Sequence, residues 1–154
     1  MIIRKAKGSD LKTIQELNLE LFKKEHKEFD KTLNCKWTFG KIGTSYFKER
    51  IEKDGLALVA EVDGKIVGYL VGGKAEVKSY RTATSVCELE NMMVLENYRN
   101  LKIGTKLVEE FLKWANKKKF EIIEVSASSQ NVKGIDFYKK MGFEEYAVTL
   151  EKRM

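Results

Sequence analysis

The sequence predicts a layered α+β domain, a mixed central β-sheet flanked by helices, and three observations predict it. Apolar residues recur at period two in some segments and at helical period in others, the two kinds alternating along the chain. Two apolar runs are joined by Asp63-Gly64, a dipeptide that adopts the positive φ angles of a two-residue hairpin turn. A long amphipathic segment carries Leu107, Val108, Phe111, Leu112 and Ala115 on one stripe directly after a strand-like run.

Residues 2–6 form a short first strand, broken at Gly8-Ser9, and Ser9 is placed to cap a helix on which Leu11, Ile14, Leu17, Leu21 and Phe22 recur at helical spacing, ending near His26. Residues 27–43 are irregular, and Tyr46, Phe47, Arg50 and Ile51 then mark a second helix closed by Asp54-Gly55. Residues 56–62 and 66–71 read as the strands of the hairpin, and residues 86–95 as another strand after a polar turn. A helix over 103–118, a strand over 122–126, a helix over 132–141 ended by Gly142, and one or two last strands from Phe143 complete the reading. The expected order is β-α-α-β-β-β-α-β-α-β. Nothing in the composition marks an internal boundary: there is no proline, no low-complexity tract and no repeat, so residues 1–154 are read as a single domain.

With 43% hydrophobic and 34% charged residues the chain can bury a core and keep a solvated surface, which excludes disorder. No apolar run approaches the ~20 residues of a membrane span, and Met1-Ile2-Ile3-Arg4-Lys5 is followed by polar residues rather than the apolar stretch of a signal peptide. The expectation is a cytoplasmic protein with no membrane partner. Two cysteines, Cys35 and Cys87, and one histidine, His26, provide no metal-ligand spacing, so no metal is expected. The net charge of +6 favours anionic partners, phosphate-bearing cofactors among them. The lysines are diluted by acids, and no recognition helix or aromatic-basic motif supports nucleic acid, which is not expected as a partner.

The stretch that carries chemistry is Val94-Leu95-Glu96-Asn97-Tyr98-Arg99-Asn100-Leu101-Lys102-Ile103-Gly104, a strand leaving through a polar turn into a helix. Helix-start amides lack intrahelical partners and sit at the positive end of the dipole, a geometry that holds phosphate groups. Arg99 and Lys102 add charge.

Tyr98-Arg99-x-x-Lys102-Ile103-Gly104-Thr105-x-Leu107 resembles the Arg/Gln-x-x-Gly-x-Gly/Ala loop of the GNAT superfamily of N-acetyltransferases. Asn131 with Phe137-Tyr138-Lys139-Lys140-Met141-Gly142-Phe143 looks like that family's closing motif, and the hairpin over 58–70 is similar to its central one. The resemblance covers nearly the whole chain and implies an acetyl-CoA-dependent transfer to a primary amine, on a small molecule or a peptide, by direct attack in a ternary complex. Members of the family are often homodimers. One departure stands out: Lys102 occupies the place of the motif's first glycine, while Gly104 keeps the second.

The resemblance implies a cofactor cleft where the strand over 86–95 splays from that over 122–126. Met93 and Val94 would give main-chain contacts to the pantetheine arm, and Arg99, Asn100, Leu101, Lys102, Ile103, Gly104 and Thr105 would cradle the pyrophosphate. Asn131 would meet the arm from the opposite wall. Read without the resemblance, Met93 and Val94 are strand core, Arg99 a surface cation and Asn131 a helix N-cap.

An alkylamine with a pKa near ~10 is protonated at neutral pH, so a base must act before attack. Glu88 and Glu90 share one strand face, continued by Met92 unless a bulge resets the register. Leu89-Glu90-Asn91 resembles the Leu-Glu-Asp run of family members acting on polyamines, where the glutamate is assigned as base; this favours Glu90, with Glu88 or water as alternatives. Tyr138 matches the family tyrosine that reaches the thioester sulfur, and is the expected acid for the leaving thiolate. Glu25, Glu28, Phe29, Asp30, Trp37, Phe39 and Tyr46 border the expected acceptor pocket. A non-catalytic acyl-CoA-binding module on the same fold would keep the loop but need neither Glu90 nor Tyr138.

Overall fold

The computed structural model describes residues 1–154. Five strands, β1 (Ile2–Lys5), β2 (Leu56–Val62), β3 (Lys65–Lys74), β4 (Val86–Val94) and β5 (Ile122–Val125), form one sheet in sequential order. All neighbours are antiparallel except β4 and β5, which run parallel. The helices are α1 (Leu11–Glu28), α2 (Lys41–Glu52), α3 (Ile103–Lys117) and α4 (Val132–Lys140).

Both faces of the sheet are covered, which is why β2 reads as an almost unbroken apolar run rather than a clean alternation. Leu56, Leu58 and Ala60 pack with Leu70, Cys87 and Leu89 against Leu107, Val108, Phe111 and Ala115 of α3. On the other face Ala57, Val59, Tyr69, Val71 and Met93 pack against Ile14 and Leu17 of α1 and Phe47 of α2. The Asp63-Gly64 turn has φ of 49° and 76°, the doubly left-handed geometry that matches the twist of its flanking strands. No helix is long and apolar enough to cross a membrane.

Several boundaries differ from the sequence reading. Ser9 does not cap α1. Asp10 closes that turn: its carboxylate accepts from the Lys7 amide at 2.7 Å and from Arg4 Nη1 at 2.7 Å. Arg4, the first cause, holds the Asp10 carboxyl below its usual range. Helix α1 runs to Glu28, two residues beyond His26, and α2 starts within the stretch read as irregular, at Lys41.

The last strands expected from Phe143 are absent. Gly142, at φ 93°, ends α4, and Phe143 turns back to pack its ring on Tyr138. Beyond it Tyr146, Val148 and Leu150 keep a period-two apolar pattern, but they are 73%, 82% and 90% exposed. Alternation alone does not make a strand when no neighbour supplies the ladder and no layer covers the apolar side.

A β-bulge shapes β4. Val71 pairs with Asn91 and Gly72 with Leu89, so Glu90 is an extra residue on β4. The bulge overturns the unbroken alternation that put Met92 on the face of Glu88 and Glu90: Met92 packs with the α3 layer, while Met93 lies in the α1–α2 layer. A Cβ on Gly72, opposite the bulge, would stand 2.4 Å from the Glu88 carbonyl oxygen and 2.5 Å from the Phe111 ring. Gly72→Ala is therefore expected to destabilise the fold by about 1–3 kcal/mol, the range of overpacking, read as a lower urea midpoint at unchanged slope.

Candidate active site

The parallel pairing of β5 stops early. Val86–Leu89 pair with residues 122–125, whereas β4 continues to Val94 with β3 alone. From Glu90 onward the outer edge of β4 has no strand beside it, so the sheet opens between β4 and β5. The N-terminus of α3 and Phe137 of α4 meet beside the opening: a Cβ on Gly104 would meet Phe137 at 3.5 Å and Met92 at 3.8 Å, ordinary contact distances. Gly104 is thus not demanded by internal crowding.

The turn entering α3 presents bare amides. Within the protein, the N–H groups of residues 100–105 donate to no acceptor, and the first helical bond is from the Lys106 amide to the Lys102 carbonyl at 3.0 Å. Asn100, Leu101, Lys102, Ile103, Gly104 and Thr105 thus offer a run of free donors at a helix start, the arrangement that suits a diphosphate. Asn100 and Lys102 have φ of 63° and 60°. The departure at Lys102 therefore falls where the chain is left-handed, a conformation that costs a side-chain-bearing residue about 1–2 kcal/mol and glycine nothing. The Lys102 side chain is exposed. It therefore alters the charge at the cradle without changing the path of the loop.

The other expected contacts are placed unevenly. Arg99 Nε donates to the Val94 carbonyl at 3.0 Å, fixing the turn to the end of β4. Val94 lies at the open edge, but the Met93 side chain is buried in the α1–α2 layer and its carbonyl is turned onto Gly68 of β3. Successive residues of a strand turn their main-chain groups to opposite neighbours, so Val94 turns its groups to the open edge, where Arg99 takes the carbonyl, and the Met93 carbonyl turns to β3. Asn131 is the N-cap of α4: its Oδ1 accepts from the Gly134 amide at 3.0 Å, leaving the carboxamide N–H groups as donors.

Tyr138 stands on α4 with its ring against Phe137 and Phe143 at 5.2 Å and 5.8 Å. Its hydroxyl has no partner within the chain and is not sealed from solvent. Burial, and secondarily the charge of Glu25, pushes the phenol up to about 12. Cys87, buried in the α3 layer, has its thiol pushed up by burial to about 11 and stays protonated.

Glu90 is not a free carboxylate. Arg50 Nη2 donates to Oε1 at 2.7 Å, and Arg50 Nε and the Tyr46 hydroxyl donate to Oε2 at 2.9 Å and 2.5 Å. Three of about four acceptor positions are used. Burial, then the Glu90 charge, raises the Tyr46 hydroxyl well above its ordinary value; the Glu90 hydrogen bond raises the Arg50 guanidinium further. The chain of contacts continues inward. Asn91 Nδ2 donates to the Tyr46 hydroxyl at 3.2 Å, the Tyr69 hydroxyl to Asn91 Oδ1 at 2.6 Å, Asn18 Nδ2 to the Tyr69 hydroxyl at 2.9 Å, and Thr38 Oγ1 to Asn18 Oδ1 at 2.6 Å. This network joins α1, the loop before α2, α2, β3 and the β4 bulge.

Sequence reasoning missed Arg50, Asn91, Tyr69 and Asn18 as site-forming residues. The only available signal was Tyr46 and Arg50 one helical turn apart; their partner on β4 is distant in sequence. Glu88 pairs across strands with Glu124, and burial followed by Glu90 and Glu124 raises its carboxyl above the usual range. The Trp37 and Tyr46 rings meet tilted by 52° with centroids 5.4 Å apart, while Phe39 is 47% exposed.

Comparison with known proteins gives a consistent picture. The model of the acetyltransferase (GNAT) family matches residues 11–143. An uncharacterised N-acetyltransferase of Methanocaldococcus jannaschii is 31% identical over 130 residues, covering 84% of this chain and 56% of that protein. An N-alpha-acetyltransferase of Sulfurisphaera tokodaii is 36% identical over 110 residues, covering 67% of this chain and 65% of that protein. The chain thus spans between half and two thirds of the length of these curated relatives. Among solved structures, a Bacillus halodurans protein superposes with a TM-score of 0.86 at 20% identity over 100% of this chain and 99% of its own. An aminoglycoside N-acetyltransferase in complex with CoA superposes with a TM-score of 0.73 at 18% identity, over 99% of this chain and 100% of its own.

Two stability effects test this geometry. Arg50→Met leaves the Glu90 carboxylate without its cation and is expected to cost about 3 kcal/mol, read by chemical denaturation. Lys102→Gly removes a left-handed cost of about 1–2 kcal/mol and adds about 0.5–1 kcal/mol of glycine chain entropy, so a net gain of up to about 1.5 kcal/mol is expected in the same assay.

Proposed function

The chain belongs to the acetyltransferase (GNAT) family, and on that premise we propose that it transfers the acetyl group of acetyl-CoA to a primary amine by direct attack in a ternary complex. The observation that carries the proposal is the run of unaccepted amides over residues 100–105, set beside the opening between β4 and β5, with the hydroxyl of Tyr138 on α4 left without a partner in the chain. A helix start with free donors matches a diphosphate, and the open edge of β4 matches an extended arm carrying amide groups. When bound, acetyl-CoA supplies an activated thioester carbonyl; the protein's task is to hold it, admit a neutral amine beside it and manage protons.

Arg99, Asn100, Leu101, Lys102, Ile103, Gly104 and Thr105 are proposed as the pyrophosphate cradle. Val94, with the remaining donors of Asn131, is proposed for the pantetheine arm. Tyr138 acts at the sulfur. Its phenol, pushed up to about 12, lies above the ~8.5 of an ordinary thiol, so it donates a hydrogen bond to the developing thiolate and passes a proton on only as another arrives. Glu90 sits on the bulge at the mouth of the cleft. With Arg50 and Tyr46 occupying both its oxygens, its part in proton removal is confined to the one remaining acceptor position. The acceptor is proposed as a primary amine on a small molecule or a peptide; relatives include both an aminoglycoside N-acetyltransferase and N-alpha-acetyltransferases.

Tyr138→Phe is expected to lower kcat about 10²-fold with the acetyl-CoA Kd unchanged, measured by thiol release and calorimetric titration. Unchanged turnover would leave the sulfur without this donor. Gly104→Asp places a carboxylate among the free amides and is expected to weaken acetyl-CoA binding at least tenfold, again by calorimetry; equal affinity would remove the cradle assignment.

A further inference from the structure

Two strand-forming elements of this chain lack a ladder, and they lie side by side. β5 ends the sheet: its only neighbour is β4, and no main-chain bond reaches its outer edge. Such an edge is a template for a further strand unless proline, lysine or an inward charge blunts it. β5 holds no proline and no lysine, and its one charge, Glu124, is paired with Arg81 at 2.7 Å.

The tail after Phe143 has the opposite lack. The Phe143 amide donates to the Tyr138 carbonyl at 3.0 Å, and residues 144–154 make no main-chain hydrogen bond. Tyr146, Val148 and Leu150 stand at period two, the pattern of a strand with one apolar side, and all three are exposed. Aromatic Tyr146 and β-branched Val148 and Thr149 favour extended backbone.

Tyr146 brings the tail to β5. Its ring lies 4.6 Å from the Arg81 guanidinium, whose Nη1 donates to Glu124 of β5, and Glu145 pairs with Lys139 of α4 at 3.5 Å. The charges are complementary: the tail carries Glu144, Glu145 and Glu151 with no cation before Lys152, whereas α4 exposes Lys133, Lys139 and Lys140 against Asp136 alone.

We infer that this face is an interface between two copies of the chain, each laying its tail, residues 144–151, as an added strand on the β5 edge of the other. Within one chain the tail lies beside β5 without bonding to it, and a strand formed there would leave Tyr146, Val148 and Leu150 facing water. A second copy supplies both missing parts. Its β5 edge provides the ladder, and its own tail, related by a two-fold axis, sets an identical apolar side against the first. Because one chain carries both the strand to be given and the edge to receive it, the exchange closes on two copies and leaves no edge open. Nothing in this pairing depends on acetyl transfer.

The test uses the full chain. Sedimentation and light scattering over a concentration series are expected to show a dimer that dissociates on dilution. Amide hydrogen exchange is expected to show residues 146–150 and the outer-edge amides of β5 protected where the dimer is populated, and unprotected once it is diluted to monomer. Val148→Lys combined with Leu150→Lys sets two cations into the shared apolar side. Both side chains are exposed within the chain, so the urea midpoint of this variant should match that of wild type diluted to monomer, while its dimer dissociation constant rises at least about 30-fold. Val148→Ile should keep the dimer. A chain that stays monomeric throughout the series overturns the inference, whether its tail is protected on its own β5 or unprotected. So does a dimer whose tail amides exchange as freely as those of the monomer, or one that the double lysine variant leaves intact.

Discussion

One extra residue in β4 governs the geometry of the whole cleft. Because Glu90 has no partner on β3, the strand kinks after Leu89, the point at which β5 stops pairing with it. A bulge left alone would be free to slide, since the ladder on either side tolerates a one-residue shift. The Glu90 carboxylate prevents this by gripping Arg50 and Tyr46 of α2, and Asn91, the next residue, continues the grip through Tyr69 to Asn18 of α1. Hydrogen bonds to charged groups contribute about 1.5–3 kcal/mol each, and breaking a shielded pair costs more than forming it gained. The bulge is thereby tied to both helices that cover it, and β4 diverges from β5 at a fixed place.

That divergence matters because a sheet normally uses up its main-chain donors and acceptors. Here the outer edge of β4 beyond Leu89 has no strand beside it, its one partner within the chain being the Arg99 side chain on the Val94 carbonyl, and the amides of residues 100–105 have no acceptor. The two are joined by the turn that Arg99 pins to the Val94 carbonyl, so the edge that suits an extended arm leads directly to the amides that suit its diphosphate. Lys102 makes this turn with a left-handed residue that carries a side chain, trading some stability for a cation beside the cradle.

The Tyr138 hydroxyl on α4 is raised chiefly by burial and further by the charge of Glu25, so it keeps its proton at neutral pH.

By itself the sequence determined the layers, the hairpin and the loop. Period-two runs, the Asp63-Gly64 turn and the stripe on α3 are local patterns whose physical meaning does not depend on distant residues, and the helix over 103–118 and the strand over 56–62 appear nearly as read. The loop from Arg99 to Thr105 was singled out by its resemblance to the family motif; what the residues alone offered was a helix start after a polar turn, whose first amides lack intrahelical partners. Only tertiary structure decided which carboxylate is engaged and which is idle. Glu90 and Glu25 are alike as letters, but one pairs with Arg50 of α2 and the other forms no ion pair. The face of Met92, which alternation left to turn on whether a bulge intervenes, and the tail after Phe143, patterned as a strand but unpaired, were beyond local pattern for the same reason. Side-chain direction and strand formation depend on a bulge and on a neighbouring edge, and both are properties of packing between segments far apart in the chain.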